Sequence, residues 1–137
     1  MKLKYVTTLV LCSVLFSCAS QYFEINSSYK RIKHPGVASA KSFVEYAVEF
    51  NSNHEFKIDK VSLQNNKSYG FLLFSLAEKN YVKSTEKHTK GKYILTFKTN
   101  NTKTINNEDV VLLSLNVNNK ITQQKITVVK RKAFRGR

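Results

Sequence analysis

The 137-residue chain predicts an all-β domain, a small antiparallel β-sandwich. Three observations carry this. Apolar residues recur at every second position in one segment after another, the period of a half-buried strand. Asparagine pairs fall between or beside those segments, and asparagine tolerates a left-handed backbone and hydrogen-bonds its own main chain in tight turns. Only four glycines and one proline are present, with no tryptophan, which excludes collagenous and low-complexity structure.

The first clear strand places Val44, Tyr46, Val48 and Phe50 on one face and Glu45, Ala47 and Glu49 on the other. A helix with Phe43, Tyr46, Ala47 and Phe50 on one side fits the same letters. The density of β-branched and aromatic residues over so short a span favours the strand. Phe56 and Ile58 face one way, and Val61 and Leu63 resume one residue out of step. A β-bulge across Asp59-Lys60 produces that slip. Phe71 to Leu76 is a continuous apolar run suited to a buried strand. The polar stretch Glu78 to Lys90 reads as a weak hairpin or a long loop, and Gly91 marks a turn before Tyr93.

Tyr93, Leu95 and Phe97 then alternate with Ile94, Thr96 and Lys98. Val111, Leu113, Leu115 and Val117 alternate in the same way, and Ile121, Ile126 and Val128 close the set. Asn118-Asn119 between the last two runs reads as a two-residue hairpin. The other asparagine pairs stand at 65-66, 100-101 and 106-107. Six or seven short strands with turns roughly every 8 to 15 residues suggest a sandwich that is Ig-like in general build, over residues 42–130.

Ahead of this domain the periodicity is absent. Asn26-Ser27-Ser28, His34-Pro35-Gly36 and Ala38-Ser39-Ala40 are turn formers and small or polar residues. Residues 18–41 therefore read as a tether, in which Tyr22, Phe23 and Ile25 supply at most a short edge strand.

The amino terminus has its own order. Lys2 and Lys4 precede twelve uncharged, mostly apolar residues, Tyr5 to Phe16. A bilayer span takes about 20 residues, so the run suits the apolar core of a signal peptide over residues 1–17. Leu15-Phe16-Ser17-Cys18 resembles a bacterial lipobox, with leucine three residues before the cysteine and a small residue directly before it. Phe16 is bulkier than the motif prefers.

The resemblance implies signal-peptidase recognition of Leu15, Phe16 and Ser17, cleavage before Cys18, and a lipid on Cys18. One acyl chain holds a protein to a membrane only marginally, whereas two or three hold it firmly. Cys12 would leave with the leader, so the two cysteines form neither a redox pair nor a zinc site. A buried helix or strand of a cytoplasmic domain is the competing reading of Leu9 to Cys18. The lipobox, the Lys- and Asn-rich composition and the small β-pattern together resemble small lipoproteins of the Bacteroidota, especially flavobacteria. That implies a place in the cell envelope and no activity. Ala19 and Ser20 are neutral, which leaves the outer membrane, facing the periplasm, as the default location.

The formal net charge is +14. Such a charge suits nucleic acid, an anionic membrane face or an acidic glycan. AT-rich codon usage also writes Lys, Asn, Ile, Phe and Tyr together, and the lysines are spread along the chain. The basic cluster is the tail, Lys130, Arg131, Lys132, Arg135 and Arg137, with Phe134 among them. Arginine forks suit phosphate. In the periplasm phosphates belong to lipopolysaccharide and phospholipid heads, so nucleic acid is not an expected partner. A frayed, solvated terminus over 131–137 is the alternative.

Other chemistry is sparse. His34, His54 and His88 are far apart, with no metal-ligand spacing. Glu45 and Glu49 share an outward strand face, where solvation is the simpler account than sugar hydrolysis. No G-x-S-x-G, P-loop or dinucleotide fingerprint is present. The expectation is a non-enzymatic, membrane-anchored binding or scaffold module for another envelope component, with no catalytic residue, cofactor or metal. The alternative is a binder of anionic envelope ligands through the lysine-rich surface and tail, and a small hydrolase is a remote third.

Overall fold

The computed structural model describes residues 23–34, 36, 41–64, 67–103, 105 and 107–131. The expectations placed on Leu15, Phe16, Ser17, Cys18, Lys132, Arg135 and Arg137 lie outside the described residues. All regular structure among the described residues is β. In chain order the strands are β1 (Phe23–Lys33), β2 (Phe43–Ser52), β3 (Phe56–Leu63), β4 (Ser68–Tyr69), β5 (Leu72–Ser75), β6 (Asn80–Val82), β7 (Gly91–Thr99), β8 (Asp109–Val117) and β9 (Lys120–Lys130).

These strands form one nine-stranded sheet in the order β4-β3-β8-β9-β1-β2-β7-β5-β6. Neighbours are antiparallel except at the β1–β9 seam, which is parallel through Tyr29↔Val129 and Lys30↔Lys130. The sheet is therefore mixed, where a purely antiparallel arrangement was expected. The strand count exceeds six or seven partly because β4 and β6, at two and three residues, are too short to show a period.

The larger correction concerns residues 23–33. They are an eleven-residue strand in the middle of the sheet, not part of a tether. β1 pairs with β2 from Phe23↔Ser52 to Lys33↔Phe43, with an irregularity between Ile25 and Ser27. That shift changes which parity faces inward, and the inward position at 30 is held by a buried lysine. Both features erase the alternation that marks a strand in sequence. At its start β1 is fastened to β9 by a side chain. The buried Gln124 carboxamide accepts from the Phe23 N–H at 3.2 Å and donates to the Phe23 carbonyl at 3.1 Å.

The sheet curls until its two limbs meet. Phe56 of β3 packs edge-on against Tyr93 of β7, centroids 5.1 Å apart, though the two strands are far apart in the sheet order. Phe23 stacks on Phe50 at 4.2 Å and meets Phe56 edge-on at 5.0 Å. This aromatic group closes one end of the core. Val48, Val61, Leu95, Val111, Leu113, Leu115 and Val128 fill the middle. Each such side chain removed from water contributes about 1.5–3 kcal/mol.

Two local expectations are met. β3 changes register against β8 between Ile58 and Lys60, at the place where the sequence slipped phase. Asn118 and Asn119 both have positive φ, 53° and 62°, as a tight two-residue hairpin requires. β5 differs from its reading as a buried strand. Leu73 and Ser75 face inward, but Leu72 is 58 % exposed.

Candidate functional site: a polar cleft at the open end

β1 runs from the aromatic end to an opposite, open end. There β3 finishes, β4 crosses, β7 finishes and β8 begins. Their diverging termini enclose a cleft of about 730 Å³, lined by Tyr46, Gln64, Lys67, Tyr69, Thr99, Asn107 and neighbours that include Lys98, Asn100, Asn101 and Asp109. Clefts in the mouths of β-barrels and between loops are common ligand sites.

The floor is built from three strands. Lys30 of β1 has a fully buried side chain, and its Nζ lies 2.6 Å from Oδ2 of Asp109 at the start of β8. Tyr46 of β2 donates its hydroxyl to the same Oδ2 at 2.6 Å. A buried ammonium without a counter-charge is very costly, and Asp109 supplies that charge. Burial first, then the hydrogen bond to Asp109 and its negative charge, hold the Tyr46 hydroxyl well above the ordinary tyrosine range. Tyr46 is therefore held as a proton donor to Asp109 at neutral pH.

From this floor a column of rings climbs to the rim. Lys30 Nζ lies 5.9 Å from the Tyr46 ring. Tyr46 stacks on Phe97 at 4.6 Å, nearly parallel, and Phe97 stacks on Tyr69 at 5.5 Å. Lys67 Nζ lies 5.9 Å from the Tyr69 ring. The column thus has an ammonium at each end and joins β1, β2, β7 and β4. Offset and stacked aromatic pairs add about 0.5–1.5 kcal/mol each beyond burial.

Carboxamides supply much of the remaining wall. Gln64 Oε1 accepts from the Val110 N–H at 2.7 Å, and Asn101 Oδ1 accepts from the Lys103 N–H at 3.1 Å, so both amides are held in place. Ile105 turns inward from the same loop and is buried against the core.

The structure distributes the residues singled out in the sequence unevenly. Lys130 ends β9, in register with Lys30. Arg131 donates its backbone N–H to the Lys30 carbonyl at 2.9 Å, and its guanidinium lies 4.7 Å from the Tyr29 ring. The described base of the tail is therefore at the same open end as the cleft. Glu45 pairs with Arg31 at 3.1 Å and Lys33 at 3.0 Å, and Glu49 accepts from Ser27 at 3.5 Å.

The histidines stay apart. His34 contacts Ser42, His54 sits in the turn after β2, and His88 exchanges backbone hydrogen bonds with Phe56. Among the described residues no group of three His, Cys, Asp or Glu side chains is placed to hold a metal ion. Within the same residues no helix is long and apolar enough to cross a membrane.

Lys30 and Asp109 escaped the sequence reading, and Tyr46 was read there only as a residue of the apolar strand face. A signal for one of them was present. Asp109 shares the parity of Val111, Leu113, Leu115 and Val117, so it points inward, and an inward carboxylate demands a partner. No protein-family model, curated protein or solved structure matches the chain.

Proposed function

We propose that the protein is a non-enzymatic binding module of the cell envelope, lipid-anchored through Cys18, that engages an anionic envelope component at its open end. One observation carries the reading. The amide-lined cleft with Lys67 and Lys98, and the base of the basic tail at Lys130 and Arg131, lie at the same end of one sheet. Two basic features separated in sequence are thereby added together in space, and summed charge of one sign raises the local concentration of an opposite partner.

The strand order supports an immunoglobulin-like build for such a module. β1-β2-β7-β5 follows the A-B-E-D order, and β9-β8-β3-β4 follows G-F-C-C′. Sandwiches of this kind present end loops and edges to partners, with function residing in those loops.

Intact mass of the protein from membranes of its native host, beside a Cys18→Ala variant, tests the anchor. A wild-type chain beginning at Cys18 with added acyl mass is the expected result. A full-length, unmodified, soluble wild type would remove the envelope assignment and reopen nucleic acid as the anionic partner. Binding to purified lipopolysaccharide, measured across a salt series, tests the partner class. The affinity is expected to fall as salt screens the lysines and arginines.

A further inference from the structure

We infer that the open-end cleft is a saccharide site, and that its ligand is an acidic sugar: a polyhydroxylated ring bearing a carboxylate or a phosphate. This rests on the binding-module reading and specifies the ligand of that site.

The hydrogen-bonding character of the wall comes first. Gln64, Asn100, Asn101 and Asn107 line the cleft together with the hydroxyl-bearing Thr99 and Tyr69, while the Tyr46 hydroxyl is already given to Asp109. A carboxamide offers two donors and an acceptor on one rigid plane, and a hydroxyl offers both roles. Adjacent ring hydroxyls of a sugar are likewise donor and acceptor at once. A wall of mixed donors and acceptors matches such a ligand, whereas a bare phosphate or carboxylate would use only the donors.

Charge decides the second half. The charged residues that line the cleft are Lys67, Lys98 and Asp109. The carboxylate of Asp109 is committed at 2.6 Å to both Lys30 and Tyr46, and its charge is matched by a lysine that is itself buried. Its repulsion toward an anion is therefore cancelled. Lys67 and Lys98 are the cationic residues of the lining. The Lys98 ammonium lies 5.2 Å from the Phe43 ring, on the shoulder between the cleft and the outer face of β2. An anionic substituent at the mouth faces Lys67, with Lys98 on the shoulder beyond, while the ring hydroxyls face the amides.

Tyr69 supplies the apolar component. It is half-buried at the rim and backed by Phe97 and Tyr46 in the stacked column, so its ring is held in place. With Phe97 on one side and the Lys67 ammonium over the ring, Tyr69 presents its edge and hydroxyl to a sugar, and a pre-positioned ring loses little freedom on binding.

The test is an NMR titration of the full-length chain, purified in detergent micelles, at low ionic strength. The probes are trigalacturonate, glucose 6-phosphate, neutral maltotriose and inorganic phosphate. The first two separate a carboxylate source from a phosphate source. Shifts are expected at the side-chain amides of Gln64, Asn100, Asn101 and Asn107 with at least one acidic sugar, roughly tenfold tighter than with maltotriose or phosphate, the size of one charge-assisted hydrogen bond. Lys67→Gln with Lys98→Gln should remove that advantage, and both sites are exposed, so the fold tolerates the change.

Equal binding of neutral and acidic sugars, or shifts confined to Lys130 and Arg131, would overturn the inference. So would silence toward every saccharide. If lipopolysaccharide or anionic vesicles still bind in that last case, the binding-module reading survives the loss of the saccharide site. If they do not, both fail together.

Discussion

The hydroxyl of Tyr46 and the carboxylate of Asp109 meet at 2.6 Å across the core, joining β2 to β8, which are not neighbours in the sheet. Lys30 reaches the same carboxylate oxygen from β1. Three strands therefore converge on one atom.

Asp109→Asn leaves the Lys30 ammonium buried without its counter-charge. Removing one partner of a buried pair costs about 3–5 kcal/mol. Urea titration should show that loss. The double variant Lys30→Met with Asp109→Leu should recover most of it, because the charges vanish together. A single variant as stable as wild type would mean that the pair is reached by water in solution.

Tyr46→Phe removes a donor to a charged acceptor and should cost about 1.5–3 kcal/mol. It should also change the response to alkali. Tyr46 is held above its ordinary value in the fold and titrates near 10.0 once unfolded. Above that pH the unfolded chain binds fewer protons than the folded one, so stability falls as pH rises. The contribution is fully present below about pH 10 and declines above it by up to about 1.4 kcal/mol per pH unit. Denaturant titrations between about pH 9 and pH 12 should give a shallower decline in the variant. Identical slopes would show that Tyr46 ionises freely in the folded protein.

Gln124→Leu should open the seam between β9 and the start of β1. The variant keeps the volume and strips both partners from the Phe23 backbone, and unsatisfied buried groups cost about 1–3 kcal/mol each. Hydrogen exchange should show the Phe23 amide losing protection before the amides of β8. Unchanged protection at Phe23 would sink the assignment.

At the β8–β9 hairpin, Asn119→Ala places a β-carbon in a left-handed conformation, φ 62°, and should cost about 1–2 kcal/mol. Asn119→Gly should stay within a few tenths of wild type or gain slightly. Thermal unfolding of the pair distinguishes them, and equal midpoints would argue that the turn relaxes to another type.

Much of this fold was legible where one face is apolar and the other polar. β2, β7 and β8 announce themselves because every second residue is Val, Leu, Phe or Tyr. The β3 bulge was readable because apolar residues flank the slip on both sides. β1 was not, and the reason is the site itself. Its inward position 30 carries a lysine whose partner lies 79 residues away, so no local pattern reveals that it is inside. The cleft shares this property. Gln64 and Tyr69 flank the β3–β4 connection, Asn100 and Asn107 belong to the β7–β8 loop, and only the curl of the sheet brings the two together. The basic tail, legible as letters, gained its meaning from the register of Lys130 with Lys30.

The early start of β1 bears on how far the proposed lipid on Cys18 would let the molecule reach. Phe23 is five residues beyond Cys18, and five extended residues reach about 17 Å at most. β1 itself is about 33 Å long from the aromatic end to the open end. With an acyl group on Cys18, the cleft then operates inside a layer about 50 Å deep, whatever the tilt of the domain. A tether of twenty or more residues would have let the domain roam. Five residues would instead make a short mooring, and material anchored in or lying on the same membrane would then be what falls within range.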